Sequence, residues 1–294
     1  MKAGFIGLGA MGLPMARNLH RAGLLAGAWN RTASKAASLA SETGCRAFGT
    51  PAELAAACDV VVTCVSADED LLAVVDAIRP TLRAGAIVID CSTVAAETAR
   101  TAASRLAGIG GGFLDCPVSG GVEGAKNATL AVMCGGNPET FERAKPVLEA
   151  LGKTIVLMGP VGAGQATKAT NQILCAGAIQ VAAEAMAFAQ AEGLPLERVI
   201  EILGKGAGAS WYFIHRAPFM ARGEYPAGFR VRLHDKDLRI CREMAARHGA
   251  ILPVIEATLA DYAMLFASGH GEEDISAIFR LKAAMFSPGK EDDG

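Results

Sequence analysis

The stretch "KAGFIGLGAMGLPMARNL", residues 2–19, decides the fold of the first half of the chain. It begins as an apolar run, supplies three glycines in G-x-G-x-x-G spacing, and continues as an amphipathic helical pattern. In this arrangement the first glycine makes a tight turn, the second lets a phosphate approach the backbone, and the third lets helix and strand pack closely. The stretch predicts a strand, a turn and a helix that bind a dinucleotide through the loop residues Gly7, Leu8, Gly9, Ala10, Met11 and Gly12.

Short apolar runs separated by helical patterns continue after this stretch. They read "LAGAWN" at 25–30, "DVVVTCV" at 59–65, "AIVIDCS" at 86–92, "GFLDCPV" at 112–118 and "TLAVMCGG" at 129–136. Strands that alternate with helices are typical of a mostly parallel α/β sheet with crossover connections. Beyond Gly159 only helical patterns follow, at 164–192, 195–203, 210–222, 232–248, 252–268 and 273–285. We expect an α/β domain over residues 1–162 and an all-α domain over residues 163–294.

Composition excludes several classes of partner. The 294 residues are 51% hydrophobic and 20% charged, which allows a large core, and the formal net charge of −2 provides no basic surface for nucleic acid or anionic lipid. We therefore expect neither a nucleic-acid nor a membrane partner. No signal-peptide pattern opens the chain, so we expect a cytoplasmic protein. The eight cysteines form no CxxC pair, which indicates reduced core thiols and no metal site.

The segment "AWNRT", residues 28–32, bears on which dinucleotide binds. A chain of this kind places an acidic residue near this point to hold the ribose hydroxyls of NAD, but this sequence offers Asn30, Arg31 and Thr32. A carboxylate repels a 2′-phosphate, whereas an arginine fork attracts it. The segment favours NADP over NAD, although NAD use stays open; the alternative is a solvated arginine in a turn.

Four segments together resemble the signatures of the β-hydroxyacid dehydrogenase family. They read "GFIGLGAMGLPMARNL", "DCPVSGG", "GAGQATKATNQ" and "FRVRLHDKDL", and they follow in order over nearly the whole chain. The family includes 3-hydroxyisobutyrate dehydrogenase and the tartronate semialdehyde, glyoxylate and succinic semialdehyde reductases. The resemblance implies a Rossmann domain followed by an all-helical domain, in agreement with the pattern of strands and helices.

The same resemblance implies a catalytic pair. Lys168 matches the family's acid–base lysine, and Asn171 matches an asparagine that hydrogen-bonds the substrate. Reduction of an aldehyde leaves an alkoxide that needs a proton, and oxidation of an alcohol needs that proton removed. Three positions separate the two residues, so they share one face of a helix. The alternatives are a solvated lysine and an asparagine that pairs with a neighbouring helix.

Further family positions map onto loops that follow strands and onto the helical half. Ser119, Gly120 and Gly121 match the substrate carboxylate site, and their hydroxyl and backbone N–H groups suit an anion; the alternative is an ordinary glycine turn. The family commonly has proline where Ser66 stands, which leaves the backbone path there open. Lys236 matches a family lysine that reaches the cofactor from the helical domain; the alternative is a solvated lysine on the surface. The remaining positions implied to contact the cofactor are Val65, Ser66, Ser92, Thr93, Phe229 and Lys236.

These features predict an NADP-preferring oxidoreductase that acts on a small β-hydroxy acid or a carboxylate-bearing aldehyde without a metal. One alternative is a noncatalytic NADP-binding scaffold, because a fold alone does not establish activity. Another is an imine reductase-like enzyme, although that class lacks the lysine. The apolar run "LCAGAIQVAAEAMAFAQA" predicts association through the helical half as a homodimer or homotetramer.

Overall fold

The computed structural model describes residues 1–286. The charged tail "SPGKEDDG", which its composition predicts to be disordered, lies outside these residues. The described chain divides into two compact units, the first ending at Lys168 and the second beginning at Ala169. The boundary predicted between residues 162 and 163 lies just before this division.

The first unit is a sheet with crossover helices. Its strands are β1 (Ala3–Ile6), β2 (Leu25–Trp29), β3 (Arg46–Ala47), β4 (Val60–Thr63), β5 (Ile87–Asp90), β6 (Gly112–Asp115), β7 (Val118–Ser119), β8 (Leu130–Gly136) and β9 (Gly152–Gly159). Its helices are α1 (Gly12–Arg21), α2 (Ala33–Thr43), α3 (Pro51–Ala57), α4 (Asp68–Ile78), α5 (Ala96–Ala107), α6 (Gly121–Asn127) and α7 (Pro138–Glu149).

Six strands run parallel in the order β3-β2-β1-β4-β5-β6. The order reverses at β1, so the loops after β1 and β4 leave the same edge of the sheet on either side of the switch point, where open α/β sheets bind ligands. Strand β8 then pairs antiparallel with both β6 and β7. The prediction of a mostly parallel α/β domain is confirmed.

Strand β9 is absent from the strands predicted by sequence. It pairs parallel with β8, and alternate residues are exposed, with Val156 at 47% and Met158 at 46% exposure. The segment "GKTIVLMG" contains the apolar run "IVLM" at 155–158. An apolar run of four residues does not by its periodicity distinguish a strand from part of a helix.

The second unit is helical, as predicted. The helix α8 (Ala163–Ala191) enters it, and α9 (Leu196–Leu203), α10 (Trp211–Arg222), α11 (Val231–Ala246) and α12 (Pro253–Ala267) follow. The last predicted helix is divided into a 3₁₀ segment, Ile275–Ile278, and α13 (Phe279–Ala284). Asp274 begins the 3₁₀ segment because its carboxylate accepts a hydrogen bond from the Ser276 backbone N–H at 3.1 Å.

Helix α8 has the length and composition of a membrane-crossing helix. It spans 29 residues, and the mean hydropathy of its most apolar window is 1.4. Within that window 56% is buried inside the fold. The buried residues of the helix include Ala176, Ile179, Ala183 and Met186. Such burial is typical of a core helix that packs against other helices of its own protein.

Candidate functional site

The glycine loop between β1 and α1 has the shape that its spacing predicts. Gly7 adopts a φ of +98°, and a Cβ there would lie 2.2 Å from the Cys64 carbonyl oxygen. A Cβ on Gly12 would lie 1.9 Å from the Gly7 carbonyl oxygen, so only glycine allows this approach of helix to loop. A Cβ on Gly9 would meet no atom within 4 Å, and the first turn of α1 carries no acidic residue. The loop therefore fits an anionic phosphate at a helix N-terminus.

Asn30 is joined to this loop. Its Oδ1 accepts a hydrogen bond from the Leu8 backbone N–H at 2.8 Å, and its Nδ2 donates to the Thr32 carbonyl oxygen at 3.0 Å. A single amide side chain thus fixes the loop after β1 to the end of β2. The residue lies where the sequence placed it, and these two bonds give it a structural task besides any contact with a ligand.

Arg31 is exposed and forms an ion pair across the loop. Its Nη1 lies 3.0 Å from Asp70 Oδ1 in the first turn of α4, with side-chain exposures of 83% and 26%. Thr32 is the N-cap residue of α2, but its side chain makes no capping hydrogen bond. The first turn of α2 carries no acidic residue. The first turn of α2 therefore presents no carboxylate that would oppose a 2′-phosphate, whereas the first turn of α4 carries Asp68, Glu69 and Asp70.

The loops after β4 and β5 are joined by Ser92. Its hydroxyl accepts from the Val65 backbone N–H at 2.8 Å and donates to Asp90 Oδ1 at 2.6 Å. Thr63 donates to the same Asp90 oxygen at 2.7 Å. Ser92 is buried and its hydroxyl is used inside the protein, so its side chain shapes the two loops. The neighbouring Ser66 is exposed and Thr93 is half-buried.

The segment that begins with Ser119 leaves the sheet as a glycine turn. Ser119 ends β7 and is half-buried, whereas Gly120 and Gly121 are exposed and have φ values of +129° and +63°. A Cβ on Gly121 would meet no atom within 4 Å. Backbone N–H groups at such a turn are accessible and suit a carboxylate.

Lys168 lies beside this turn. It is in the second turn of α8 and is 8% exposed, and its Nζ donates a hydrogen bond to the Val118 carbonyl oxygen at 2.9 Å. Val118 directly precedes Ser119. The fold therefore brings together a buried ammonium group and the Ser-Gly-Gly turn, from positions about 50 residues apart in the chain.

Two residues that the sequence analysis did not select hold the first turn of α8. The Asp115 carboxylate accepts hydrogen bonds from the backbone N–H groups of Gly162 at 2.8 Å and Gln165 at 2.9 Å. Burial raises the pKa of Asp115 to about 6, against the opposing effect of these hydrogen bonds. Gln165 donates from Nε2 to the Ser92 carbonyl oxygen at 2.8 Å. Asp115 lies within the segment "DCPVSGG" and Gln165 within "GAGQATKATNQ". The three-residue spacing between Gln165 and Lys168 could have identified Gln165 from the sequence.

The second unit contains the remaining selected residues. Asn171 donates to Gln172 Oε1 at 2.8 Å, and Gln172 donates from Nε2 to Asp237 Oδ2 at 2.7 Å. Lys236 Nζ pairs with the other oxygen of Asp237 at 3.1 Å. A continuous polar network thus joins Asn171 on α8 to Lys236 on α11. Phe229 lies before α11, with its ring centroid 5.1 Å from that of His234.

Histidine, cysteine and acidic side chains are the groups that most often bind metal ions in proteins. Over residues 1–286, no group of three or more of these side chains is arranged to hold a metal ion. Six cysteines of the described residues are buried: Cys58, Cys91, Cys116, Cys134, Cys175 and Cys241. Burial raises the pKa of the Cys91 and Cys116 thiols, which disfavours the thiolate form that metals bind.

Comparison with known proteins extends these observations. A family model for the NAD binding domain of 6-phosphogluconate dehydrogenase matches residues 2–159. A second model, for the NAD-binding region of NADP-dependent 3-hydroxyisobutyrate dehydrogenase, matches residues 162–282. An uncharacterized oxidoreductase of Shewanella frigidimarina is 43% identical over 263 residues, which cover 88% of this chain and 90% of that protein.

Two relatives have names that state a substrate. The NAD-dependent L-serine dehydrogenase of Pseudomonas aeruginosa is 35% identical over 291 residues, covering 94% of this chain and 96% of the relative. The structure of Mycobacterium tuberculosis 3-hydroxyisobutyrate dehydrogenase with L-serine superposes with a TM-score of 0.86 at 33% identity. That superposition covers 95% of this chain and 98% of the solved one.

The fold and the glycine loop define a nicotinamide dinucleotide-binding oxidoreductase. The chain belongs to the β-hydroxyacid dehydrogenase family, and the named relatives support a hydroxyacid dehydrogenase. Both the family and the class of enzyme expected from the four sequence segments are therefore confirmed.

Proposed function

We propose that this protein is an NADP-preferring dehydrogenase or reductase that interconverts a small β-hydroxy acid and the corresponding semialdehyde, with Lys168 as the general acid and base. The buried Lys168 ammonium group, 2.9 Å from the Val118 carbonyl oxygen and next to the Ser-Gly-Gly turn, carries the proposal. When bound, the nicotinamide supplies or accepts the hydride. The chain itself must bind the acid and move one proton.

Lys168 is suited to the proton step. In the reducing direction its Nζ donates a proton to the oxygen that becomes the alcohol, and in the oxidising direction it removes that proton. Its bond to the Val118 carbonyl oxygen restricts the orientation of a long and otherwise mobile side chain. Asn171 follows one helical turn later and would hydrogen-bond the same end of the substrate.

The Ser119, Gly120 and Gly121 turn would hold the substrate carboxylate. A serine hydroxyl and backbone N–H groups bind an anion without a fixed cation. Because Val118 directly precedes the turn, a carboxylate held there would lie close to the Lys168 ammonium group. A small acid would therefore place its reacting oxygen beside Lys168. This proximity favours a short acid such as 3-hydroxyisobutyrate or L-serine, the compounds named for the relatives.

Cofactor preference is proposed from the corner around Arg31. A guanidinium and the N-terminus of α2, with no acid in its first turn, favour a 2′-phosphate. The relatives differ, since one matching model describes an NADP-dependent enzyme and the L-serine dehydrogenase is NAD-dependent. The preference of this chain is therefore argued from its own residues. The other proposed cofactor contacts are Gly7, Leu8, Gly9, Ala10, Met11, Gly12, Asn30, Thr32, Val65, Ser66, Ser92, Thr93, Phe229 and Lys236.

Asp70 is expected to limit the preference for NADP. Its carboxylate pairs with Arg31 and would compete with and repel a 2′-phosphate. Exposed ion pairs contribute only about 0.2–1 kcal/mol, so Asp70→Asn should lower the Kd for NADPH by at most about fivefold and leave the Kd for NADH unchanged. Cofactor titration by fluorescence measures both. The matched control is Asp76→Asn on the same helix, where the carboxylate pairs with Arg105 instead; an equal gain there would show a general charge effect.

The proposed activity is tested with purified protein, NADPH and a panel of methylmalonate, succinic and tartronate semialdehydes and glyoxylate. Oxidation of NADPH is followed by absorbance, and the reverse reaction is followed with 3-hydroxyisobutyrate and L-serine. Turnover of at least one of these acids is expected. Tight binding of NADPH without turnover on any of them would instead favour a noncatalytic scaffold.

We also propose that the helical half mediates formation of a homodimer or homotetramer. Leu174, Val181 and Phe188 recur every seven residues along α8 and are exposed by 69%, 66% and 54%. Such a row of large apolar side chains on one helix is typical of an interface. Light scattering at micromolar concentration should give a mass of two or four chains, and Val181→Glu with Phe188→Glu should lower that mass. A monomeric wild-type protein would contradict the proposal.

A further inference from the structure

The N-terminus of α8 has an unusual cap. A helix leaves its first N–H groups without partners inside the helix, and a side chain of the N-cap residue commonly accepts from one of them. Here the N-cap position is Gly162, which has no side chain. The Asp115 carboxylate at the end of β6 takes over this task, because one of its oxygens accepts from Gly162 N–H and the other from Gln165 N–H.

Close packing makes this connection rigid. A Cβ on Gly164 would lie 2.4 Å from both the Asp115 and the Met133 carbonyl oxygens. A Cβ on Gly135 would lie 2.4 Å from Asp115 Oδ1. The first turn of α8 is thus pressed against the ends of β6 and β8, with no room for a side chain between them.

The Gln165 side chain connects the same turn to a second loop. Its Nε2 donates to the Ser92 carbonyl oxygen at 2.8 Å, and its Oε1 accepts from the Val94 backbone N–H at 3.2 Å. Gln165 is 2% exposed, so these bonds are shielded from water. Two loops at the carboxyl ends of strands therefore define the position and the rotation of the helix that carries Lys168.

We propose that Asp115 is a positioning residue for catalysis, which fixes the first turn of α8 and thereby holds the Lys168 ammonium group beside the Ser-Gly-Gly turn. The inference rests on the proposed role of Lys168. Gln165 assists by fixing the same turn from the other side. Proton transfer requires donor and acceptor within hydrogen-bond distance, and a displacement of about 1 Å is enough to slow a reaction by one or two orders of magnitude.

The ionised form of Asp115 is the form that accepts both hydrogen bonds fully. Its pKa of about 6 places the loss of that form just below neutral pH. Asp90 on β5 and Cys116 after β6 interact electrostatically with the Asp115 carboxylate, Cys134 on β8 interacts with Cys116, and the Arg100 guanidinium on α5 lies beside Gly162. In the reducing direction Lys168 must be protonated, so acidification does not disable it. A fall in kcat between pH 7 and 5 would then report on Asp115.

The test compares Asp115→Asn with Asn137→Ala in the intact protein. Asparagine keeps the shape of the side chain but presents an amide N–H to one of the two backbone donors. For Asp115→Asn we expect kcat for reduction to fall about tenfold and the Kd for NADPH to stay within about twofold. Its kcat should not change between pH 5 and 7, whereas the kcat of the wild type should fall as the pH is lowered from 7 to 5.

Asn137→Ala is the control. Asn137 caps α7, because its side chain accepts hydrogen bonds from the Glu139 and Thr140 N–H groups. Its loss should lower Tm by about 2–4 °C without changing kcat.

Gln165→Met serves as a second variant in case Asp115→Asn does not fold. It removes both side-chain hydrogen bonds at nearly equal volume, and it should also lower kcat while NADPH binding is retained. The inference is overturned if both variants keep wild-type kcat, or if Asp115→Asn lowers Tm and retains the wild-type pH profile. An active Lys168→Ala variant would instead overturn the proposed function, so the two failures are distinguishable.

Discussion

Lys168→Ala should reduce kcat in both directions by about 100- to 10,000-fold and leave the Kd for NADPH within about twofold. The variant removes the proton donor, and it leaves the glycine loop and Arg31 unchanged. Lys168 is buried, and its Nζ donates a hydrogen bond to the Val118 carbonyl oxygen, directly before the Ser-Gly-Gly turn. Single-turnover oxidation of NADPH with the best semialdehyde, together with cofactor titration, measures the two quantities separately.

Lys153→Ala is the matched control for this experiment. Lys153 lies on β9 in the same unit and is exposed, so its removal should change neither quantity. Addition of a small primary amine should partly restore turnover to Lys168→Ala, because a free amine then supplies the missing proton. A variant that retains wild-type kcat would exclude Lys168 as the general acid and base.

Arg31→Ala should weaken NADPH binding by about 1.5–3 kcal/mol, roughly 10- to 150-fold in Kd, while NADH binds about as before. The reason is a lost charge-assisted hydrogen bond to the 2′-phosphate, a group that NADH lacks. The variant should therefore narrow or invert the cofactor preference. Because Arg31 is largely exposed, the effect should also decrease as salt is raised.

Arg79→Ala provides the control for Arg31. It removes another exposed arginine from the same unit, at the end of α4, and should leave the ratio of NADPH to NADH affinity unchanged. Two results would show that the phosphate is recognised elsewhere: an Arg31→Ala variant with full preference for NADPH, or a wild-type protein that uses NADH more efficiently.

Local sequence patterns, the glycine spacing and the apolar periodicity, predicted much of the fold. The glycine spacing in residues 7–12 predicted the turn that β1 and α1 make, because the tight turn and the close approach of Gly12 to Gly7 depend on neighbouring residues. The helical half was also predicted almost element by element, since apolar periodicity reports directly on helix faces. The edge strand β9 was not, because its four-residue apolar run "IVLM" at 155–158 does not by periodicity distinguish a strand from a helix.

Individual residues could be selected from motifs, but motifs did not reveal their partners. Lys168 was selected from the segment "GAGQATKATNQ", yet its bond to the Val118 carbonyl oxygen joins segments that only the sheet brings together. Asn30 was selected as a cofactor contact, and the fold gives it the additional task of holding Leu8 N–H. Ser92 was selected likewise, and the fold also gives its hydroxyl hydrogen bonds with Val65 N–H and Asp90 Oδ1.

The sequence alone determined the type of each half and predicted the dinucleotide loop and the candidate lysine, Lys168, because these depend on the order of residues within one segment. Only the tertiary structure showed that Asp115 caps α8 and that Asp70 forms an ion pair with Arg31. The physical reason is that a carboxylate forms its bonds with whichever donors packing places within about 3 Å, and the chain order carries no direct record of that distance.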